Sequence, residues 1–136
     1  MRAPSILFVC MHNACRSQIA EALCRSKAPS SWALSSAGLR PSEGVDPKAA
    51  RILEEHGLRI REAKPKGFDS LGGREWDCVV EVGCPPAKGL VPAREIRHWN
   101  IADPLDGPME LYVELYAKLE KQVAELIVEF RKTTGH

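Results

Sequence analysis

The sequence predicts an α/β domain built on a parallel four-stranded sheet flanked by helices. Ser5 to Cys10 (Ser-Ile-Leu-Phe-Val-Cys) is a short, continuously apolar run, of the kind buried on both faces of a parallel sheet. Runs of that type alternate along the chain with stretches of helical period. The 136 residues, 44% of them hydrophobic, suffice for one core and leave no room for a second, so residues 1–136 are expected to form a single domain.

The elements follow in order. After the first strand a polar loop leads into Ser17 to Ser26, where Ile19, Ala20, Ala22 and Leu23 recur at helical spacing. Trp32 to Ser36 reads as a second strand, closed by a turn at Ala37-Gly38. Asp46-Pro47 starts a second helix, with proline in the first turn. Ala49, Ala50, Ile52 and Leu53 form its apolar stripe and Gly57 ends it. Ile60 to Gly73 mixes charges with Pro65, Gly67, Gly72 and Gly73 and is expected to be mostly loop. Asp77 to Val82 and Glu95 to Trp99 read as the third and fourth strands, with Cys84 to Gly89 a long surface loop between them. Pro108 to Lys132 is a long helix with Leu111, Leu115, Leu119, Val123, Leu126, Ile127 and Phe130 on one face. Glu110, Glu114, Lys118, Lys121, Glu125 and Glu129 lie largely outside that stripe and are expected to be solvated. Folds of this class bind ligands at the carboxyl ends of their strands. Cys10, Cys84 and Asp103 each fall at or just after such an end, which puts three reactive side chains on one rim.

Composition excludes several functions. Nineteen Lys plus Arg against eighteen Asp plus Glu leave a net charge of +1, which argues against a nucleic-acid platform. No apolar run reaches the roughly 18 residues a membrane span needs. Met1-Arg2-Ala3-Pro4-Ser5 ahead of four bulky apolar residues lacks the long apolar region of a signal peptide, so the expected location is cytoplasmic. Five unevenly spaced cysteines do not form a secreted disulfide framework. A zinc module of Cys10, Cys15, Cys78 and Cys84 is a competing class. Its pairs are separated by four and five residues, at and beyond the limit for paired thiolate ligands, and Arg16 would repel the metal.

The informative stretch is Cys10-Met11-His12-Asn13-Ala14-Cys15-Arg16-Ser17: a cysteine, five residues, then Arg-Ser opening a helix straight after a strand. Five residues let the chain curl round a tetrahedral oxyanion, with the backbone of Met11 to Arg16 turning its N–H groups inward above the helix's positive end. Arg16 adds a planar fork of donors for two oxygens at once. Cys10, among those dipoles and beside Arg16, is set up as a nucleophile. Ser17 is placed either to donate to the Cys10 sulfur or to cap the helix.

Continued through Gln18-Ile19-Ala20-Glu21-Ala22, this loop resembles the signature of the thiol-dependent arsenate reductases of the low-molecular-weight protein tyrosine phosphatase superfamily. The resemblance goes on in Ser36-Ala37-Gly38, in Val79-Val80 leading to Gly83-Cys84, and in His98-Trp99 followed by Asp103-Pro104. It spans nearly the whole chain in the family's order. Three features separate reductase from phosphatase. Gln18 stands where those phosphatases usually have proline. Leu105-Asp106-Gly107 follows Asp103-Pro104 where they place an aromatic, and the next aromatic is Tyr112. Gly83-Cys84 lies where the reductases keep a resolving cysteine. The resemblance therefore implies an arsenate reductase, with hydrolysis of phosphotyrosine through a Cys10 phosphoenzyme as the alternative.

In the mechanism so implied, Cys10 attacks arsenate and Asp103 protonates the departing oxygen as general acid. Cys84 then attacks the Cys10 sulfur as arsenite leaves, giving a Cys10–Cys84 disulfide, unless an external thiol resolves the adduct. The loop from Cys84 to Val91 is expected to shift for this. Phosphate and sulfate are expected as further ligands, and no tightly bound cofactor. Thioredoxin-coupled members carry another cysteine soon after the resolving one. Here Pro85-Pro86-Ala87-Lys88-Gly89-Leu90 follows, so reduced glutathione with glutaredoxin is at least as much expected as thioredoxin. Cys15 and Cys78 are candidate extra thiols, although Cys78 in mid-strand and Cys24 on the first helix read as core. Asn13, Glu21 and Ser36 match residues that hold a potassium ion in some members. The acidic residue completing that site is not evident near Ala63-Lys64-Pro65-Lys66, and a lysine ammonium is the alternative occupant. His12 stands where many relatives have glycine and is expected to be a partly exposed loop residue, not a base.

Overall fold

The first apolar run is strand β1 (Ser5–Cys10), and all of it is buried because the strand has a neighbour on each side and cover on each face. The computed structural model describes residues 3–60, 64–86, 90–104 and 106–133. β1 pairs in parallel with β2 (Ala33–Gly38) and with β3 (Cys78–Val82), and β3 pairs in parallel with β4 (Ile96–Trp99). The sheet order is β2-β1-β3-β4. Ile6 and Phe8 meet the larger core layer, which takes in helices α1 (Arg16–Lys27), α2 (Pro47–Glu55) and α3 (Met109–Thr133). Leu7 and Val9 meet a smaller one with Trp76, Val79, Cys84 and Val91. The three helices thus share one face of the sheet, and loop segments with the short 3-10 turn Phe68–Leu71 cover the other. No helix among the described residues is long and apolar enough to cross a membrane.

The helix signals act as expected. The Asp46 side chain accepts from the Lys48 N–H at 2.9 Å and caps α2, while Pro47 occupies its first turn. Most element ends shift by a residue from expectation, and two departures have a visible cause. β2 does not turn at Ala37 but runs on to Gly38, because Ala37 and Gly38 pair with Val9 and Cys10. Along α3 the buried stripe is Tyr112, Leu115, Tyr116, Leu119, Val123, Leu126, Ile127 and Phe130. Leu111, expected inside, is 42% exposed. The Tyr112 hydroxyl donates to the Asp46 carboxylate and Tyr116 stacks on His56 with ring centroids 3.9 Å apart, which turns the first part of the helix by one residue. The charged residues outside the stripe are exposed, with Glu129 pairing to Arg97 at 2.6 Å.

Candidate active site

Between the end of β1 and the start of α1 every carbonyl is turned outward and engaged. Those of Cys10, Met11, His12 and Ala14 accept from the amides of Leu39, Arg40, Ser42 and Asp46 at 3.1, 2.7, 3.1 and 2.9 Å. That of Asn13 accepts from the Gln18 side chain at 3.1 Å, and that of Cys15 from the Ile19 amide at 2.9 Å. In a trans peptide the N–H points opposite to the C=O. The bonds that hold these carbonyls therefore turn the amides of the same peptides, Met11 to Arg16, away from the groups that hold them.

The tightest point is Asn13, with φ of +52°, a left-handed conformation costing roughly 1 kcal/mol for a residue with a side chain. Its buried side chain offsets that locally. Nδ2 donates to Ser17 Oγ at 2.8 Å and Ser36 Oγ at 2.9 Å. Oδ1 accepts from Gln18 Nε2 at 3.1 Å and from the Lys66 amide at 2.9 Å. Proline at position 18 could make neither Gln18 bond. Gly38 closes the loop from below, where a Cβ would stand 2.8 Å from the Asn13 nitrogen. Ser17 Oγ lies 2.9 Å from Cys10 Sγ, with either atom able to donate, while the helix cap position, Cys15, makes no side-chain cap bond.

Arg16 is buried, and its fork is aimed by the chain just beyond two strand ends. Nη1 donates to the carbonyls of Gly83 at 2.9 Å and Ile101 at 3.1 Å, and Nη2 lies 3.6 Å from Asp103 Oδ2. Gly83 has φ of +71°, and a Cβ there would fall 2.0 Å from the Ile101 oxygen. Only glycine fits.

Cys84 departs from the expected surface loop. The left-handed turn at Gly83 folds it back under the sheet end, so Cys84 is 3% exposed and donates to the Val9 carbonyl at 3.5 Å, while Pro85 and Pro86 stay outside. Ala87, Lys88 and Gly89 lie outside the described residues, as do Ala63 and Leu105. Burial pushes the Cys84 thiol up to about 11, with the neighbouring Cys10 and Glu81 raising it further and Arg16 opposing. Burial likewise raises Cys24 and Cys78 to about 12, and Cys15 further still with help from Asp46. Cys15 is packed in the loop. Cys78 and Cys10 both face the helical layer and Cys84 the opposite one, Cys10 at the end of its strand and Cys78 at the start of its own. His12 is exposed, its Nδ1 2.9 Å from the Arg40 carbonyl oxygen.

Asn13, Ser36 and Glu21 do come together behind the loop, where Ser36 Oγ donates to Glu21 Oε1 at 2.6 Å. They do not fit a potassium ion. Glu21 already carries Arg25 at 2.8 Å and the Lys66 ammonium at 3.7 Å, and that ammonium also lies 3.4 Å from Ser36 Oγ. The lysine expected as alternative occupant is Lys66. Thermal stability in phosphate buffer should accordingly be the same in potassium and in sodium salts, while Lys66→Met should cost about 2 kcal/mol by stripping a cation from a buried carboxylate. A potassium-specific rise in the Tm of the unaltered protein would contradict this.

Two residues near the site escaped the sequence reading: Glu81, buried in β3, and His98, whose Nδ1 lies 3.3 Å from Glu81 Oε1. A lone charge in the run Cys-Val-Val-Glu-Val was the signal available.

The chain is similar to known proteins in sequence and fold. The family described as low molecular weight phosphotyrosine protein phosphatase matches residues 5–135. The glutaredoxin arsenate reductase of Synechocystis is 28% identical over 129 residues, 91% of this chain and 96% of its own. The crystal structure of an arsenate reductase from Archaeoglobus fulgidus shares the fold with a TM-score of 0.78 at 33% identity, over 90% of this chain and 98% of that one. A thioredoxin-dependent arsenate reductase of Corynebacterium glutamicum reaches a TM-score of 0.78 at 30% identity, over 98% of this chain and 64% of that one. With a match running from the first strand into the last helix, the chain belongs to the low molecular weight phosphotyrosine protein phosphatase family.

Proposed function

We propose that the protein is an arsenate reductase, with Cys10 as nucleophile, Arg16 and the amides of Met11 to Arg16 as the oxyanion site, Asp103 as general acid and Cys84 as resolving thiol. The observation that carries this reading is the second thiol. Cys84 bonds the carbonyl of Val9, the residue next to Cys10, and a hydrolase has no use for it. The relatives named arsenate reductase support the same choice over the phosphatase.

Arsenate enters the loop, and the Cys10 sulfur displaces one oxygen from arsenic as Asp103 delivers a proton to it, a contribution of about 10²–10⁴ in rate. Ser17, whose Oγ lies 2.9 Å from Cys10 Sγ, holds the sulfur in place for the attack. Cys84 then attacks Cys10 Sγ. A sulfur–sulfur bond forms, and the sulfur–arsenic bond breaks with its electron pair left on arsenic, which departs as arsenite. Phosphate and sulfate bind the same donors, which recognise a tetrahedral anion and not its central atom.

Pro85-Pro86-Ala87-Lys88-Gly89-Leu90 follows Cys84 where a carrier cysteine would stand, so the disulfide has no such carrier beside it. An external thiol must open it directly, and we assign that role to glutathione with glutaredoxin ahead of thioredoxin. Such a relay works in a reducing compartment, the cytoplasm. The test is arsenate reduction assayed in parallel with thioredoxin and with glutathione plus glutaredoxin. Arsenite production with the glutaredoxin system is expected. Hydrolysis of phosphotyrosine peptides with no arsenate turnover under either system would overturn the reading.

A further inference from the structure

Glu81 is 5% exposed in a central strand, an expensive place for a carboxylate. The sheet register fixes its direction. Glu81 pairs with Val9 on β1 and with His98 on β4, and partners in register point the same way. It therefore faces the layer of Val9, Val79, Cys84 and Val91, away from the helices. Cys84 follows three residues later, its thiol on the carbonyl of Glu81's own partner, Val9. On the other side, the His98 imidazole bonded to Glu81 has 53% of its side chain in solvent. A buried thiol, a buried carboxylate and a solvent-facing imidazole thus share one face of the sheet where β1, β3 and β4 end.

Thiol–disulfide exchange needs the thiolate, and Cys84 is held as the thiol by burial. Cys10, Glu81 and Arg16 are the charged or titratable groups that act on it, Arg16 alone favouring the anion. Resting on the reading of Cys84 as resolving thiol, we propose that Glu81 takes the Cys84 proton as Cys84 attacks Cys10, and that His98 passes that proton to solvent. The step balances. The Cys84 S–H bond breaks toward the Glu81 carboxylate and the Cys10–Cys84 bond forms. The Cys10–arsenic bond breaks with its electron pair on arsenic, so As(V) becomes As(III) as two thiols become one disulfide.

The experiment is a single turnover with arsenate, quenched in time and mapped by mass for the Cys10–Cys84 bond, in the unaltered protein and in Glu81→Gln over a pH series. Aryl-phosphate hydrolysis, which needs neither Cys84 nor Glu81, certifies the folded site. Glu81→Gln is expected to slow disulfide formation about 100-fold at neutral pH. The deficit should shrink as pH rises toward the thiol's own ionisation. The sign is decisive: were Glu81 only a fixed negative charge, its removal would ease ionisation of Cys84 and speed the step. Acceleration or an unchanged rate overturns the proposal. Should Glu81→Gln not fold, His98→Asn carries the test, with a several-fold slowing expected and an unchanged rate overturning it. If the unaltered protein makes arsenite with Cys84 still free, the resolving role of Cys84 fails instead, a separate outcome.

Discussion

Replacing Cys10 by serine is expected to abolish arsenate reduction and aryl-phosphate hydrolysis alike, by about 10⁴-fold or more, and to leave the protein folded. The substitution exchanges one sulfur for a slightly smaller oxygen at the end of β1, and a serine hydroxyl there can remake the hydrogen bond to Ser17 Oγ. The cradle survives because its six carbonyls are engaged from Leu39, Arg40, Ser42, Asp46, Gln18 and Ile19, none of which depends on the sulfur. Phosphate binding measured by calorimetry should therefore persist in the variant while both activities vanish. A hydroxyl at this position is a far weaker acid than a thiol, and it cannot be oxidised to a disulfide. Either activity surviving within about tenfold would remove Cys10 from the chemistry.

Cys84→Ser separates the two activities. Steady-state arsenite production is expected to fall by about three orders of magnitude, while aryl-phosphate hydrolysis stays within about twofold. In the proposed mechanism, nucleophile, oxyanion site and general acid all lie on Cys10, the loop after β1, Arg16 and Asp103. The bonds that orient Cys10 and Arg16 run to Ser17, Gly83, Ile101 and Asp103 rather than to the Cys84 sulfur. The serine hydroxyl can still donate to the Val9 carbonyl, so the stability cost should be about 1 kcal/mol or less. Measuring both activities and the melting curve on one preparation decides the matter. Phosphatase activity lost from a folded Cys84→Ser would contradict the division of labour.

Much of this was legible in the chain. Ser5–Cys10 is a strand because nothing in it tolerates water on either face, and the loop chemistry of Cys10 to Ser17 is local, a matter of spacing between a strand end and a helix start. The misreadings arise where distant residues decide. Leu111 and Tyr112 are both compatible with an apolar stripe, and the choice falls to Asp46, which captures the tyrosine hydroxyl from another helix. Cys84 next to two prolines reads as exposed, but the conformation of Gly83 sends the two sides of that turn to opposite environments. The partners of Arg16 are main-chain carbonyls of Gly83 and Ile101, and a carbonyl leaves no mark on the residue type that carries it. Glu81 sits as a lone charge in an apolar run, but its meaning depends on a register shared with Val9 and His98, which only strand pairing reveals.

Lys66 changes what the loop depends on. A counterion recruited from solution stabilises a fold only by mass action, in proportion to the logarithm of its concentration over its dissociation constant. An ammonium on the chain is present at an effective concentration set by geometry, because the Lys66 amide is bonded to Asn13 and its carbonyl accepts from Gly38. The concentration drops out. The order of the loop after β1 then depends on no cation from outside the polypeptide, and dilution or dialysis of such a cation leaves it in place.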